Sequence, residues 1–431
     1  MKSIVKYHLL LSIVCLAVYL PSLWNDFQMG WDDQWMVFNR YTEDGFTQEN
    51  LKSVFTDYHY GQYGPVNEIV YMAIYKAFGY NPFIYHLYSL LLHIANCCLL
   101  FTFLRILASK FQHSVPQLVA FAATLLFAVH PLQVESIAWI SASKIPLYTF
   151  FSLLAFLAYL QFARTEKLWY YLAAFVLFVF AFGSKEQSIV LPATLLLLDW
   201  ALGRCRTPEN KWNWQQILLE KLPFILLAVF AALQIRSHQS MEYTAQVAGY
   251  PLWQRLVFCC YSLVVYAGRL VLPVNLLYIY PFPMTPGGEM PAQYFIYPAV
   301  VVAGVYLLCA HIKKIPLPVI FGLLFYSVNM SLMLHIVTMP RFMITADRYV
   351  YLGSTGLFFI AAWYGVPWLQ KMTASSKKWL VAVAACYLLY LGGYAHYRTY
   401  AWKDSDTVKR DLRDLIDADA TSQEQEIQQN P

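Results

Sequence analysis

The chain has 431 residues, of which 59% are hydrophobic and only 13% are charged, and its formal net charge is +5. Soluble domains carry about 25% charged residues, so this composition predicts a polytopic helical membrane protein and leaves no room for a large soluble domain. The basic residues are scattered along the sequence and not gathered on one face. They therefore give no basis for nucleic-acid binding.

The apolar segments of the sequence predict an all-α protein with about eleven membrane-crossing helices, since a span needs roughly 20 apolar residues. A large outer loop at 25–64 follows the first span and is expected to carry short interfacial helices. A further apolar segment at 256–272 is interrupted at Arg269 and Pro273, so we predict that it is re-entrant or lies on the surface. The predicted spans are 9–23, 83–104, 118–129, 145–162, 170–182, 189–202, 222–235, 295–310, 317–335, 349–369 and 379–394.

Lysine and arginine residues are concentrated in alternate loops, which the positive-inside rule assigns to the cytoplasm. This orientation gives a cytoplasmic N-terminus and an external C-terminus, and it gathers the unusual polar residues in the outer loops. If the segment 256–272 does cross, the later half of the chain is inverted and Lys313 and Lys314 face outward. We predict one membrane domain over 1–403 and a short charged, partly disordered tail at 404–431.

An acidic pair, Asp32 and Asp33, follows the first span and is expected at the membrane surface. A carboxylate in this position can accept a proton from an incoming hydroxyl group, as a general base does. The alternative is that the pair caps a helix or is a solvated interfacial pair.

Two further outer segments combine cations with polar groups. His130 and Glu135 follow the third span, and Lys144 begins the next one; together they can bind a phosphate or a sugar hydroxyl, or form a capped turn. Lys185 and Glu186 lie between two apolar helices, where charges are costly unless they are paired or hydrated. That pair could hold a phosphate or form a local ion pair.

Arg341 and Arg348 are predicted near the outer ends of late spans, against the positive-inside trend. A planar guanidinium can bind a phosphate with two hydrogen bonds, although interfacial arginines beside tyrosines are also common. His86 and His93 share a face of the second span and could line a site or pack in the core. The Cys and His spacings predict no zinc site, and no metal is expected.

Taken in order, these motifs resemble the membrane part of the transmembrane and tetratricopeptide-repeat-containing protein O-mannosyltransferases and their bacterial relatives, in the GT-C superfamily. The resemblance runs over about residues 20–404, and no single motif is specific by itself. The segments that carry it are 25–33, 64–66, 81–87 with His93, 126–136, 184–187 and 347–352.

The resemblance implies a GT-C-type fold and a metal-independent, inverting transfer of a sugar, expected to be mannose, from a polyprenyl- or dolichyl-phosphate carrier to a Ser or Thr hydroxyl. Asp33 is the expected base, with Asp32 assisting. The residues expected at the donor phosphate are Arg348, Lys185, Lys144 and Arg341. Those expected to bind substrate are His130, Glu135, Glu186, His86 and His93.

The tetratricopeptide repeats of that family do not follow the last span of this sequence, so the acceptor stays open. Ser or Thr of an exported protein is one expectation, and a lipid-linked glycan or lipopolysaccharide is the other. Compact loops and a short tail favour a bacterial inner membrane, with the site facing the periplasm. A lipid or solute transporter is a further alternative, although its charges would be expected near the middle of the bilayer on broken helices.

Overall fold

The computed structural model of the chain describes residues 2–206, 211–238, 249–337 and 343–414. These residues are mostly helical, and the prediction of an all-α protein is confirmed. One small antiparallel sheet is present in the described residues, formed by β1 (Tyr280–Pro281) and β2 (Met343–Thr345). Arg341 lies outside the described residues.

The first half of the chain forms a series of short helices in the first loop and long apolar helices around it. The short helices begin after residue 32, and the long ones supply most of the core. They are α1 (Lys2–Tyr19), α2 (Asp33–Met36), α3 (Arg40–Asp44), α4 (Gln48–Thr56), α5 (Pro65–Phe78), α6 (Pro82–Lys110), α7 (Pro116–Val129), α8 (Val134–Ala138), α9 (Lys144–Thr165), α10 (Leu168–Ser184) and α11 (Leu191–Ala201).

The second half of the described chain adds further helices. The apolar segment predicted at 256–272 forms one helix, Leu252–Val271, which ends before Pro273 but is continuous through Arg269, contrary to the interruption predicted there. This helix buries one face while the other is exposed. Residues 405–414 are also helical. The helices are α12 (Trp214–His238), α13 (Leu252–Val271), α14 (Ile296–His311), α15 (Leu317–Met330), α16 (Ser354–Lys371) and α17 (Ala374–Ala401).

Six stretches of the described residues are long and apolar enough to cross a membrane. A seventh is added if Pro116–Val129 and Pro131–Ala138, which meet at a bend of 60°, are one broken span. The polytopic architecture is therefore confirmed, while the count of eleven crossings stays a prediction. The six stretches are Ile4–Trp24, Pro82–Lys110, Ile140–Thr165, Trp214–Gln234, Ala292–His311 and Ala374–Ala401.

The core lies between α6, α7, α9, α10 and α16, with α7 packed between α6 and α16. The helix at 405–414 packs against the end of the bundle at which the first loop lies. There Val408 is buried in the same apolar cluster as Trp402 and Trp139. The Ser405 hydroxyl donates to the carbonyl of Met29 at 2.6 Å. The start of the charged tail thus contacts the first loop.

α15 and α16 cross at a pair of glycines. A Cβ added to Gly322 would lie 2.6 Å from the carbonyl oxygen of Gly356, and a Cβ on Gly356 would collide with the backbone of Gly322. Small residues let apolar helices approach this closely where packing drives their association. This crossing fixes where α16 begins, directly after the segment that carries Arg348.

The glycine crossing predicts that Gly356→Ala lowers the free energy of unfolding by about 3 kcal/mol, because the methyl group has no space. Gly365→Ala, on the same helix with nothing within 4 Å of an added Cβ, is the control. It should be neutral or stabilising by up to about 1 kcal/mol. Equal thermal unfolding of the two variants in detergent would contradict the close crossing.

Candidate functional site

Four segments far apart in sequence meet at one end of the bundle. They are the turn before α2, the broken segment from Pro131 to Ser143, the turn after α10, and the 3-10 helix Asp347–Val350. The break after α7 follows from Pro131, which lacks an N–H and begins a short 3-10 helix. Besides Asp33, this end of the bundle holds six predicted site residues, which we call the charged cluster: Asp32, Glu135, Lys144, Lys185, Glu186 and Arg348.

Asp33 is fully buried and its carboxylate is bonded on both oxygens. One oxygen accepts from the backbone N–H of Gln28 at 2.8 Å. The other accepts from the backbone N–H of Ser141 at 2.8 Å and from the Ser141 hydroxyl. Burial raises the pKa of Asp33 to about 6 despite these hydrogen bonds. Asp33 therefore fastens the first loop to the segment before α9.

Asp32 differs from its neighbour in every one of these respects. It is partly exposed, and no described residue donates a hydrogen bond to its carboxylate. The charge of this carboxylate acts on both Lys144 and Arg348. Asp32 is thus a carboxylate within electrostatic reach of two cations, and no described residue occupies its acceptor oxygens.

Arg348 is held by Glu135, a residue from a distant part of the sequence. The Glu135 carboxylate accepts from the backbone N–H of Arg348 at 2.9 Å and forms a charged hydrogen bond with its guanidinium. The guanidinium also lies 5.1 Å from the ring centre of Trp139 and 4.8 Å from that of Tyr349. Only 11% of the Arg348 side chain is exposed, so its orientation is fixed by these partners.

Lys144 connects the remaining charges. Its ammonium donates to the side-chain carbonyl of Gln62 at 2.7 Å, and it lies within electrostatic reach of Lys185 and Glu186. Lys185 and Glu186 pair at 2.9 Å. Burial opposes the ionisation of Glu186, but the charges of Lys185 and Lys144 outweigh it and lower its pKa to about 2. Glu186 is therefore ionised at neutral pH.

A narrow cavity adjoins Lys144 and Glu186 and is walled by the first loop and α5. Its volume of about 20 Å³ has room for about one water molecule, so a sugar ring requires the loop to shift. Glu68 lines it and is 8% exposed; burial raises its pKa to about 8, against the opposing effects of Asn39 and Lys144. Asn67, also buried, makes no side-chain hydrogen bond of ordinary geometry with the described residues.

No hydrogen bond among the described residues joins the three predicted histidines to the charged cluster. His130 accepts from the N–H of Leu132 at 3.2 Å and donates to the carbonyl of Leu270 at 3.2 Å, which occupies both ring nitrogens. His93 is buried in α6 and bonds the Tyr351 hydroxyl at 2.7 Å. His86 is also buried in α6. His130 and His93 thus connect segments that are distant in sequence through their hydrogen bonds.

One group of Cys and His side chains in the described residues could share a metal ion, and it lies in the core and not at the charged cluster. Its members are Cys15, His93 and Cys97, with the two sulfurs 3.6 Å apart. Sequence spacing gave no sign of this group, because Cys15 and Cys97 are 82 residues apart on α1 and α6.

Several residues that support the site carry no sequence motif. Ser141 bonds Asp33, Gln62 bonds Lys144, and Trp139 lies against Arg348. Asp347 is buried and accepts from the Tyr280 hydroxyl at 3.0 Å; burial raises its pKa to about 7, with Arg269 opposing. The segment 347–352, which carries part of the family resemblance, includes Asp347, but its burial and its bond to Tyr280 are known only from the structure.

The bonded state of Asp33 predicts that Asp33→Asn is less stable than the wild type by about 2–3 kcal/mol, because the amide NH2 must face an N–H donor on either side. Asp32→Asn has no such conflict and should stay within about 0.5 kcal/mol. Thermal unfolding of the two purified variants measures the difference. Equal melting temperatures would contradict the assignment of Asp33 as the anchor.

The buried Glu68 predicts a pH-dependent stability. Because its pKa is about 8 in the folded chain and 4.5 ordinarily, the folded chain keeps a proton that the unfolded chain has lost, and stability falls as pH rises through this window. Glu68→Gln should flatten the fall, leaving the parts due to Asp33 and Asp347. Glu49→Gln, an exposed control in the same loop, should keep the wild-type slope of melting temperature against pH; a slope unchanged in Glu68→Gln would overturn this prediction.

No family model matches the chain, and no solved structure matches it. Over 291 residues the chain is 24% identical to a protein O-mannosyl-transferase of Caenorhabditis elegans. The match covers 63% of this chain and 39% of that protein, so the chain spans about two fifths of the length of the curated relative. This distant similarity supports, in its general form, the family resemblance seen in the sequence.

Proposed function

We propose that the chain is a membrane glycosyltransferase that moves a sugar from a polyprenyl-phosphate carrier to an acceptor hydroxyl. The observation that carries the proposal is an available carboxylate, Asp32, whose charge acts on a buried and fixed guanidinium, Arg348. The distant similarity to a protein O-mannosyl-transferase supports the same class of reaction and favours mannose as the sugar.

In this proposal Asp32 is the general base, and Asp33 is a positioning residue. A base must be free to accept a proton from the attacking hydroxyl, and the oxygens of Asp33 are already bonded to Gln28 and Ser141. Asp33 holds the turn from which Asp32 projects. This reverses the order of the two residues that the sequence resemblance implies.

Arg348 stabilises the negative charge that forms on the leaving phosphate. As the carbon–oxygen bond to the acceptor forms, the bond from the anomeric carbon to the phosphate oxygen breaks, and its electron pair stays on the phosphate. A guanidinium already oriented by Glu135 stabilises that charge without reorganising. The acceptor proton goes to Asp32. The leaving phosphate therefore gains one negative charge while Asp32 loses one, and the net charge of the site does not change.

Lys144 and Lys185 supply further positive charge beside the phosphate. Glu186 keeps Lys185 in place at 2.9 Å, and Gln62 does the same for Lys144 at 2.7 Å. One displacement at the anomeric carbon inverts its configuration. In the proposed reaction these residues act as the base and bind the phosphate, and metal independence stays an expectation.

The acceptor and the location extend the same proposal. We propose the Ser or Thr hydroxyl of an exported protein as acceptor, with a lipid-linked glycan as the alternative. The distribution of lysine and arginine supports a cytoplasmic N-terminus. The charged cluster then faces the periplasm of a bacterial inner membrane.

The test is the transfer of labelled mannose from polyprenyl-phosphate-mannose to acceptors in membranes at matched expression. Asp32→Asn should lower the rate at least about 100-fold, because a general base contributes roughly 10²–10⁴-fold. Arg348→Lys should also lower it, since an ammonium cannot replace the bidentate guanidinium.

The control for this test is Asp44→Asn, which removes an exposed carboxylate from the same loop and should transfer at the wild-type rate. Wild-type transfer by Asp32→Asn would sink Asp32 as the base. Transfer of another lipid-phosphate sugar in place of mannose would correct the donor and keep the mechanism.

A further inference from the structure

A second polar cavity lies at the opposite end of the bundle, about 33 Å from the charged cluster along the 22-residue helix α9. It opens between the last turns of α6, α9 and α11 and has a volume of about 440 Å³. Ligand sites in proteins are of this size. We call it the basic cavity after its lining cations: Arg105, Lys110, Arg164 and Arg204.

Three of these cations have no acidic partner among the described residues. Arg204 is neutralised, because it pairs with both Asp199 and Glu220. By contrast, no described carboxylate lies within ion-pair distance of Arg105, Lys110 or Arg164. The described residues that line the cavity include no acid. An unneutralised concentration of positive charge in a concave site attracts an anion.

Arg105 lines the basic cavity and carries one donor atom without a partner among the described residues. Its Nε atom is buried, and it has no hydrogen-bond partner in the described part of the chain. A buried donor without an acceptor costs about 1–3 kcal/mol. Because this atom has no accessible surface, an anion in the basic cavity would compensate the charge of the guanidinium and would not bond its Nε atom.

The cavity has both an apolar wall and a group of cations, as binding of an anionic lipid requires. Leu160, Ala163 and Leu202 form an apolar wall beside the cations. The cations themselves lie near the ends of the candidate spans Pro82–Lys110 and Ile140–Thr165, at the level where lipid headgroups are found. A free anion would leave the apolar wall uncovered, whereas a lipid would place its phosphate on the cations and an acyl chain along the wall.

We infer that the basic cavity binds the phosphate headgroup of an anionic membrane lipid. The inference does not rest on the proposed function, because the cavity shares no residue with the charged cluster. Bound lipid would join the ends of α6, α9 and α11 through its phosphate. Lysine and arginine at helix ends are also expected from the helix dipole, but a dipole does not require them to converge on one cavity.

The test is the binding of a fluorescent phosphatidylglycerol to the purified full chain in detergent. The double variant Arg105→Gln/Arg164→Gln should bind roughly 30-fold more weakly, since each basic side chain near a membrane surface contributes about 5-fold. The matched control is Lys377→Gln/Lys378→Gln, which removes the same charge at the same end of the bundle, near the start of α17. It should bind as the wild type does.

Competitors separate the sources of the phosphate. Unlabelled phosphatidylglycerol should displace the probe, while phosphatidylcholine and inorganic phosphate should not. Displacement by inorganic phosphate at the same concentration would overturn the lipid assignment, and so would equal displacement by phosphatidylcholine. Equal affinity of the two double variants would overturn the site itself, and Arg105→Lys/Arg164→Lys, which keeps the charge, should retain binding if the fold is intact.

Discussion

Glu135 and Arg348, 213 residues apart, form a buried charged pair at the end of the bundle. Removing one partner would leave an uncompensated charge, which costs about 3–5 kcal/mol. The pair therefore fixes the broken segment after α7 against the 3-10 helix before α16. Everything proposed for the charged cluster depends on it, because it fixes the orientation of the Arg348 guanidinium, on which the charge of Asp32 acts.

The first loop is fixed to the same frame by a different device. Asp33 accepts hydrogen bonds from Ser141, which lies three residues before Lys144, so the anchor and the cation come from one short segment. The loop then presents Asp32 to Arg348 and Lys144. Two of the turns are tied to distant segments by a buried carboxylate, Asp33 or Glu135. Glu186, which is partly exposed, pairs with its neighbour Lys185.

The sequence predicted much of this arrangement because hydropathy and charge are local properties. The apolar runs predicted the helices, and charges in the outer turns predicted where Asp32, Lys144, Lys185 and Arg348 would meet. The sequence could not tell which acid of the pair is free, since that depends on Ser141, 108 residues away. The sequence also does not indicate that residues 405–414 pack onto the first loop. Their charge pattern is that of a solvated helix, and Val408 is their one buried apolar side chain.

The most direct measurement is a structure of the chain with polyprenyl phosphate bound, the lipid that the proposed reaction releases. The account predicts a phosphate oxygen within hydrogen-bond distance of the Arg348 guanidinium, with the Asp32 carboxylate beside the position of the anomeric carbon. A phosphate bound away from Arg348, for example only in the basic cavity at the opposite end, would contradict the account.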